Sequence, residues 1–202
     1  MNKNHKSFIC GIKGKYLTKS EKKFLIKYKP WGVILFSRNI ISIKQTKILT
    51  NSIKKLFKNN NYPILIDEEG GRVTRLKKFI DNSIFTAKYF GDLYSKNNKK
   101  FEIYFNVYVK QISYLLRTLG ISINTVPVLD IRRSKSHSII GDRSYSSNKK
   151  IVSKIGDICI EKFHKNRIAT VMKHIPGHGL AKSDSHKNLP IINKKMDYLV
   201  KN

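Results

Sequence analysis

Apolar residues along the chain fall into two alternating patterns. Short, nearly continuous runs recur at 8–12 (FICGI), 32–36 (GVILF), 63–67 (PILID), 123–131 (INTVPVLDI) and 168–175 (IATVMKHI). Between them, the segments 19–28, 42–58, 101–119 and 149–165 carry apolar positions three and four apart, the period of one helix face. The runs read as strands and the spaced segments as helices, so the chain alternates β then α. Strands that are apolar on both faces and joined through helices pack as a parallel sheet covered by those helices.

Each run also ends in a polar cluster: SRN after residue 36, DEEGGR from 67, DIRR from 130 and KHIPGHG from 173. A barrel gathers chemistry at the C-terminal end of every strand, whereas a doubly wound sheet concentrates it at one crevice. The fold class expected is therefore α/β, a TIM-like (β/α)8 barrel. Five strands consume about 175 of the 202 residues, against eight strands and roughly 250 residues for a full barrel. The expectation is an incomplete barrel, 1–202 forming one truncated domain of about five βα units with the C-terminal strands missing. The stretch NKKMDYLVKN at 193–202 reads as the start of a helix.

Composition changes this picture little. At 40% hydrophobic residues the chain can bury a core. Its formal charge of +28 would suit a nucleic-acid binder. Yet lysines outnumber arginines by 33 to 8 and spread along the whole chain, accompanied by many Ile and Asn. That is the mark of an AT-rich coding bias rather than of a phosphate-binding stripe, and no nucleic acid is expected as a partner. Residues 1–17 hold too brief an apolar run for a signal peptide, and nothing approaches the roughly 18 apolar residues of a membrane span. Cys10 and Cys159 have no ligand spacing and read as reduced thiols. The compartment expected is cytoplasmic, with no membrane partner.

Glycine, arginine and acids are scarce, and the places that concentrate them are informative. IDEEGGRVTRL (66–76) sets Asp67 at a strand end, two more acids beside it, a Gly-Gly turn, then Arg72 and Arg75. A carboxylate with an arginine fork nearby orients polyhydroxyl or acidic ligands, although a salt-bridged turn would use the same residues. IIGDRSYSSN (139–148) brings Asp142 and Arg143 into a loop that serves equally as a helix cap. In VMKHIPGHGLAKSDSHKNLPII (171–192), Pro176 and Gly177 interrupt any helix, so His174 and His178 do not share a helical face as metal-binding pairs do. Asp184 and His186 stand two apart, and in extended chain they point the same way. The carboxylate can then fix the imidazole tautomer and raise its pKa toward working pH, as general acid/base catalysis needs, unless the pair is a chance surface neighbourhood. No GxSxG, GxGxxG or GxxxxGK[ST] motif occurs, and neither metal nor cofactor is expected.

Taken in order, PWGVILFSRNI (30–40), LIDEEGGRVTRL (65–76), VPVLDI (126–131), IGDRSYSSN (140–148) and KHIPGHG followed by DSH (173–186) resemble glycoside hydrolase family 3. The likeness is strongest to its cytosolic bacterial β-N-acetylglucosaminidases of peptidoglycan recycling. The resemblance implies a barrel domain that removes terminal N-acetylglucosamine from muropeptides containing 1,6-anhydro-N-acetylmuramic acid, without cofactor or metal. It implies sugar binding by Asp67, Arg75, Arg143, Lys173 and His174, and acid/base catalysis by His186 with Asp184 as its partner. The family's nucleophile, an aspartate in an SDD-like segment of a later strand, has no match in these 202 residues. A complementary C-terminal chain is therefore a candidate partner. A non-catalytic amino-sugar or muropeptide binder is the alternative, and a basic nucleic-acid binder a weaker one.

Overall fold

The computed structural model describes residues 5–133, 138–175, 177–181, 183 and 187–197. Five parallel strands run β1 (Lys6–Gly11), β2 (Pro30–Leu35), β3 (Ile64–Ile66), β4 (Ile123–Asn124) and β5 (Ala169–Thr170). They pair in the order β1-β2-β3-β4-β5, each beside its predecessor in sequence. Unbroken sequential order is how barrel strands are laid down; a doubly wound sheet would reverse direction at a switch point. Ile34 stands opposite Leu65, Leu65 opposite Ile123 and Ile123 opposite Ala169. Central β3 is wholly buried, whereas β1 at one edge is mostly exposed.

Helices α1 (Lys19–Tyr28), α2 (Ile43–Leu56), α3 (Ala87–Lys96), α4 (Asn98–Thr118) and α5 (Lys149–Lys165) make the connections. Each starts where a short polar side chain accepts from a free amide of the first turn: Thr18, Ser42, Thr86, Asn97 and Asn148. At α1 the cap is reciprocal, Glu21 returning a bond to the Thr18 amide. One face of α4 buries Phe101, Phe105, Tyr108, Val109, Ile112 and Leu116, and one face of α5 buries Val152, Ile155, Cys159 and Phe163. Where α3 meets α4, Phe85, Phe90, Phe105 and Tyr108 form an aromatic cluster, Phe90 meeting Phe105 edge-on at 4.8 Å between centroids. No helix among the described residues is long and apolar enough to cross a membrane.

The structure departs from the sequence pattern in two places. The segment 87–96 was not expected as a helix, and α4 begins at Asn98 rather than 101. The long apolar runs 123–131 and 168–175 pair as strands over two residues each, then continue as an extended pair beyond Pro127. There the Lys173 amide donates to the Pro127 carbonyl at 3.1 Å and the Leu129 amide to the Lys173 carbonyl at 2.7 Å. This continuation carries Asp130 and Lys173 beyond the sheet side by side, on the end where Asp67 leaves β3.

Candidate active site

The turn after β3 is organised by an acid that never sees solvent. Glu68 is 1% exposed. Its carboxylate accepts from Thr74 Oγ1 (2.8 Å), the Arg75 and Leu76 amides (2.7 and 3.0 Å) and Asn82 Nδ2 (2.6 Å). Burial pushes its carboxyl above the usual range, and these four bonds offset that only in part. The Asn124 side chain completes the hold, accepting from the Glu68 amide at 3.0 Å and donating to its carbonyl at 2.9 Å. With Glu68 fixed inward, Asp67 and Glu69 on either side reach the rim.

There they share one cation. Lys173 Nζ lies 2.7 Å from Asp67 Oδ1 and 2.6 Å from Glu69 Oε1, and donates to Thr125 Oγ1 at 3.1 Å. The Thr125 hydroxyl donates in turn to Asp67, and Arg75 approaches the other Asp67 oxygen at 3.8 Å. Burial acts to raise Asp67, but Lys173, then Thr125 and Arg75, outweigh it and hold the carboxyl below its ordinary value. Arg143 grips Glu69 with Nε and Nη2 at 2.8 and 2.9 Å, a bidentate pair. Burial acts to lower the Arg143 guanidinium, and Glu69 more than reverses it. Glu69, Arg143 and Lys173 side chains are only 6, 12 and 14% exposed, so water screens this network little.

The extended ends of β4 and β5 supply a second pair. His174 Nδ1 is 2.5 Å from Asp130 Oδ2, and the Asp130 side chain is fully buried. The amides of His174 and His178 also donate to Asp130. Burial acts to raise Asp130, but His174 and these amides hold its carboxyl low. A charged carboxylate on Nδ1 selects the tautomer with its proton there and leaves Nε2 to accept. The His178 ring stands 6.3 Å from that of His174, both its nitrogens buried without a hydrogen-bond partner among the described residues.

Arg72 ties the two loops together. It donates to Asp142 at 2.8 Å and to the carbonyls of Ser138, Ile139 and Ile140. The loop before α5 is thus clamped onto the β3 turn by Arg72 in one direction and Arg143 in the other. Helix capping, the other role open to that loop, is performed by Asn148. A narrow recess of about 20 Å³ lies between the loops, lined by Glu69, Thr86, Val126, Val128, Arg143 and Tyr145.

Of the residues expected from sequence, Asp67, Arg75, Arg143, Lys173 and His174 converge on this rim. Asp184 and His186 lie outside the described residues. Sequence reasoning gave no role to Glu69, Asp130 or Thr125. Glu69 was detectable as the residue two beyond Asp67 on an extended segment, and Asp130 as a second acid ending an apolar run. Asp67, Glu69 and Asp130 against Arg75, Arg143 and Lys173 balance in charge. A balanced, partly buried cluster rich in fixed donors and acceptors suits a neutral polyhydroxyl ligand better than an ion.

Known proteins resemble the chain in sequence and in fold. Residues 11–202 match the glycosyl hydrolase family 3 N terminal domain. The chain is 30% identical over 179 residues to beta-hexosaminidase A of Pseudoalteromonas piscicida, covering 87% of this chain and 29% of that protein. It is 31% identical over 180 residues to a beta-hexosaminidase of Thioalkalivibrio sulfidiphilus, covering 89% and 51%. Its fold superposes on NagZ from Neisseria gonorrhoeae, solved in complex with N-trifluoroacetyl-D-glucosamine, with a TM-score of 0.87 at 29% identity over 98% of this chain and 58% of that one. The chain therefore spans 29–58% of the length of these relatives, and its five parallel strands with their helices are the corresponding part of a barrel. From the strand order, the rim and these relatives together, the chain belongs to glycosyl hydrolase family 3.

Proposed function

We propose that this chain provides the sugar-binding rim and the acid/base loop of a β-N-acetylhexosaminidase that removes terminal N-acetylglucosamine from anhydro-muropeptides during peptidoglycan recycling. The observation that carries the reading is the convergence of Asp67, Glu69, Arg143 and Lys173 within hydrogen-bonding distance of one another, beside the Asp130–His174 pair. The N-acetylglucosamine derivative bound by the Neisseria gonorrhoeae NagZ supports the same ligand class.

In this reading the terminal sugar lies across the rim. Its hydroxyls donate to Asp67 and accept from Lys173 and Arg143, while Arg75 steadies Asp67 and His174 offers Nε2. These groups are already fixed by one another, so little ordering entropy is spent when the sugar arrives. His186, oriented by Asp184, protonates the departing glycosidic oxygen and later activates water. Retention of configuration further requires a carboxylate on the opposite face of the anomeric carbon. Asp67, Glu69 and Asp130 are committed to cations or to an imidazole, and Glu68 is sealed in its turn, so none of them is placed to attack.

Two measurements test this. The 202-residue chain binds N-acetylglucosamine saturably in a calorimetric titration, and Asp67→Ala weakens binding by about tenfold or more. It shows no turnover of an aryl N-acetyl-β-glucosaminide until a complementary chain bearing the later strands is supplied, and His186→Ala abolishes the restored activity. Sugar binding indifferent to Asp67→Ala would end the reading of the rim. Turnover by the 202 residues on their own would show that one of the carboxylates above is free to attack.

A further inference from the structure

The N-terminal ends of the strands, opposite the rim, border an open hollow of about 220 Å³. It forms where the chain enters β3, β4 and β5, and its charged lining consists of Lys54, Arg117 and Arg167, joined by Asn60, Asn61 and Ser122. No carboxylate among the described residues lines it. Among the described residues none of the three cations pairs with an acid, whereas Arg72, Arg75, Arg143 and Lys173 at the rim all do. In a chain with 33 lysines the scarce arginines are diagnostic. Six of the eight, Arg38, Arg72, Arg75, Arg132, Arg133 and Arg143, follow strand ends at the rim, and the remaining two, Arg117 and Arg167, both line this hollow.

Helix polarity does not absorb the charge. Lys54 and Arg117 sit in the last turns of α2 and α4, and Arg167 just past α5. A helix C-terminus supplies about half a negative charge, so three offset roughly half of three cations. Arg117 donates to the Asn166 carbonyl, a neutral partner. Lys54 is also partly desolvated, which lowers its pKa and disfavours leaving its ammonium uncompensated. Arg167 has φ +60°, the left-handed position after a helix, as Lys29 and Lys58 have after α1 and α2.

We infer that this hollow binds a phosphate-bearing small molecule of two or more negative charges, gripped by the Arg117 and Arg167 forks and the Lys54 ammonium. Its volume is smaller than that of a drug-sized site, and planar guanidinium forks match phosphate oxygens. The site lies on the opposite end of the sheet from the proposed sugar rim and stands independently of that reading.

Inorganic pyrophosphate is the probe, titrated calorimetrically into the full chain at near-physiological ionic strength. One saturable site is expected. Arg167→Gly, whose glycine adopts the same φ freely, is expected to weaken it by about tenfold, the worth of one charge-assisted contact; Lys54→Met acts likewise, and the double variant does so further. Lys22→Ala with Lys23→Ala, which removes two exposed charges from α1, leaves affinity unchanged. A nucleoside diphosphate run beside pyrophosphate separates the sources: equal affinity assigns the hollow to free phosphates, tighter binding to a nucleotide. Absence of a saturable site, or equal weakening by the α1 variant, would overturn the proposal by leaving only general attraction to a cationic chain. Far-UV circular dichroism checks that each variant is folded, and Lys54→Met alone decides the matter if Arg167→Gly is not.

Discussion

Asp67, Glu68 and Glu69 show how far chemistry at a single residue depends on where the turn points it. Three successive acids read alike in a sequence, yet one meets Lys173 and Arg75, one is sealed among four donors, and one bridges Arg143 and Lys173. Glu69 consequently acts through its partners: without its charge, two nearly buried cations lose their common anchor. Glu69→Gln keeps the shape and removes the charge. It should cost about 3 kcal/mol in chemical denaturation, as expected for leaving buried charges unpaired, and weaken N-acetylglucosamine binding about tenfold as Arg143 and Lys173 lose their placement. Unchanged stability in that variant would mean that the network is solvated rather than buried. Asp67, Arg75, Arg143, Lys173 and His174, proposed for sugar binding from the family resemblance, could be singled out because each lies in a short motif in a strand-end or loop segment. Glu69 and Asp130 were not, because their roles arise from which neighbour they face, and facing is decided by the Gly70-Gly71 turn and by the β4–β5 extension.

Among the elements, the β–α alternation was legible because buried parallel strands are written as continuous apolar runs. Helix α3 was not. Its ten residues AKYFGDLYSK bury only Phe90 and Gly91, and a central glycine weakens the helical signal. Its reason for being there lies elsewhere in the chain: a Cβ at Gly91 would sit 1.7 Å from the Tyr145 carbonyl oxygen. The helix is pressed onto the loop that carries Arg143, and glycine permits the contact. Gly91→Ala gains about 1 kcal/mol of helix propensity but forces α3 and that loop apart, at about 1–3 kcal/mol for overpacking. The net expectation is a lower denaturation midpoint together with weaker sugar binding, since Arg143 moves with its loop. A more stable variant with intact binding would show that propensity governs this position and that the two elements are not rigidly coupled.

Across the whole molecule, charge and open edges set two behaviours. Asp67 and Asp130 are held below their ordinary pKa, so the stability they contribute is complete above the unfolded value of about 3.9 and is lost as pH falls through their folded values. Glu68, raised by burial, runs the other way, contributing below its unfolded value and losing that contribution as pH rises through its folded one. Asp67→Asn should therefore flatten the fall of stability below about pH 4, read from urea midpoints across pH; an unaltered slope would mean that Asp67 is not held by Lys173 in solution. The edges pull in a different direction. Phe8 and Ile9 on β1 are 36 and 44% exposed, and Val171 and Met172 beyond β5 are 40 and 48% exposed. Among the described residues neither β1 nor β5 pairs on its outer side, and in the 202-residue chain such edges with apolar side chains favour pairing with further strands, while a formal charge of +28 keeps copies apart. Salt screens the second effect over a Debye length of about 10 Å at 0.1 M and about 3 Å at 1 M, and leaves the first intact. Sedimentation velocity of the 202-residue chain should accordingly show association that grows with salt, the reverse of an electrostatically driven complex. Ile9→Lys, placing a charge on the β1 edge, should suppress it, as should a complementary chain that covers both edges. Association that salt dissolves would instead locate the contact in charged surfaces and remove the edges from the account.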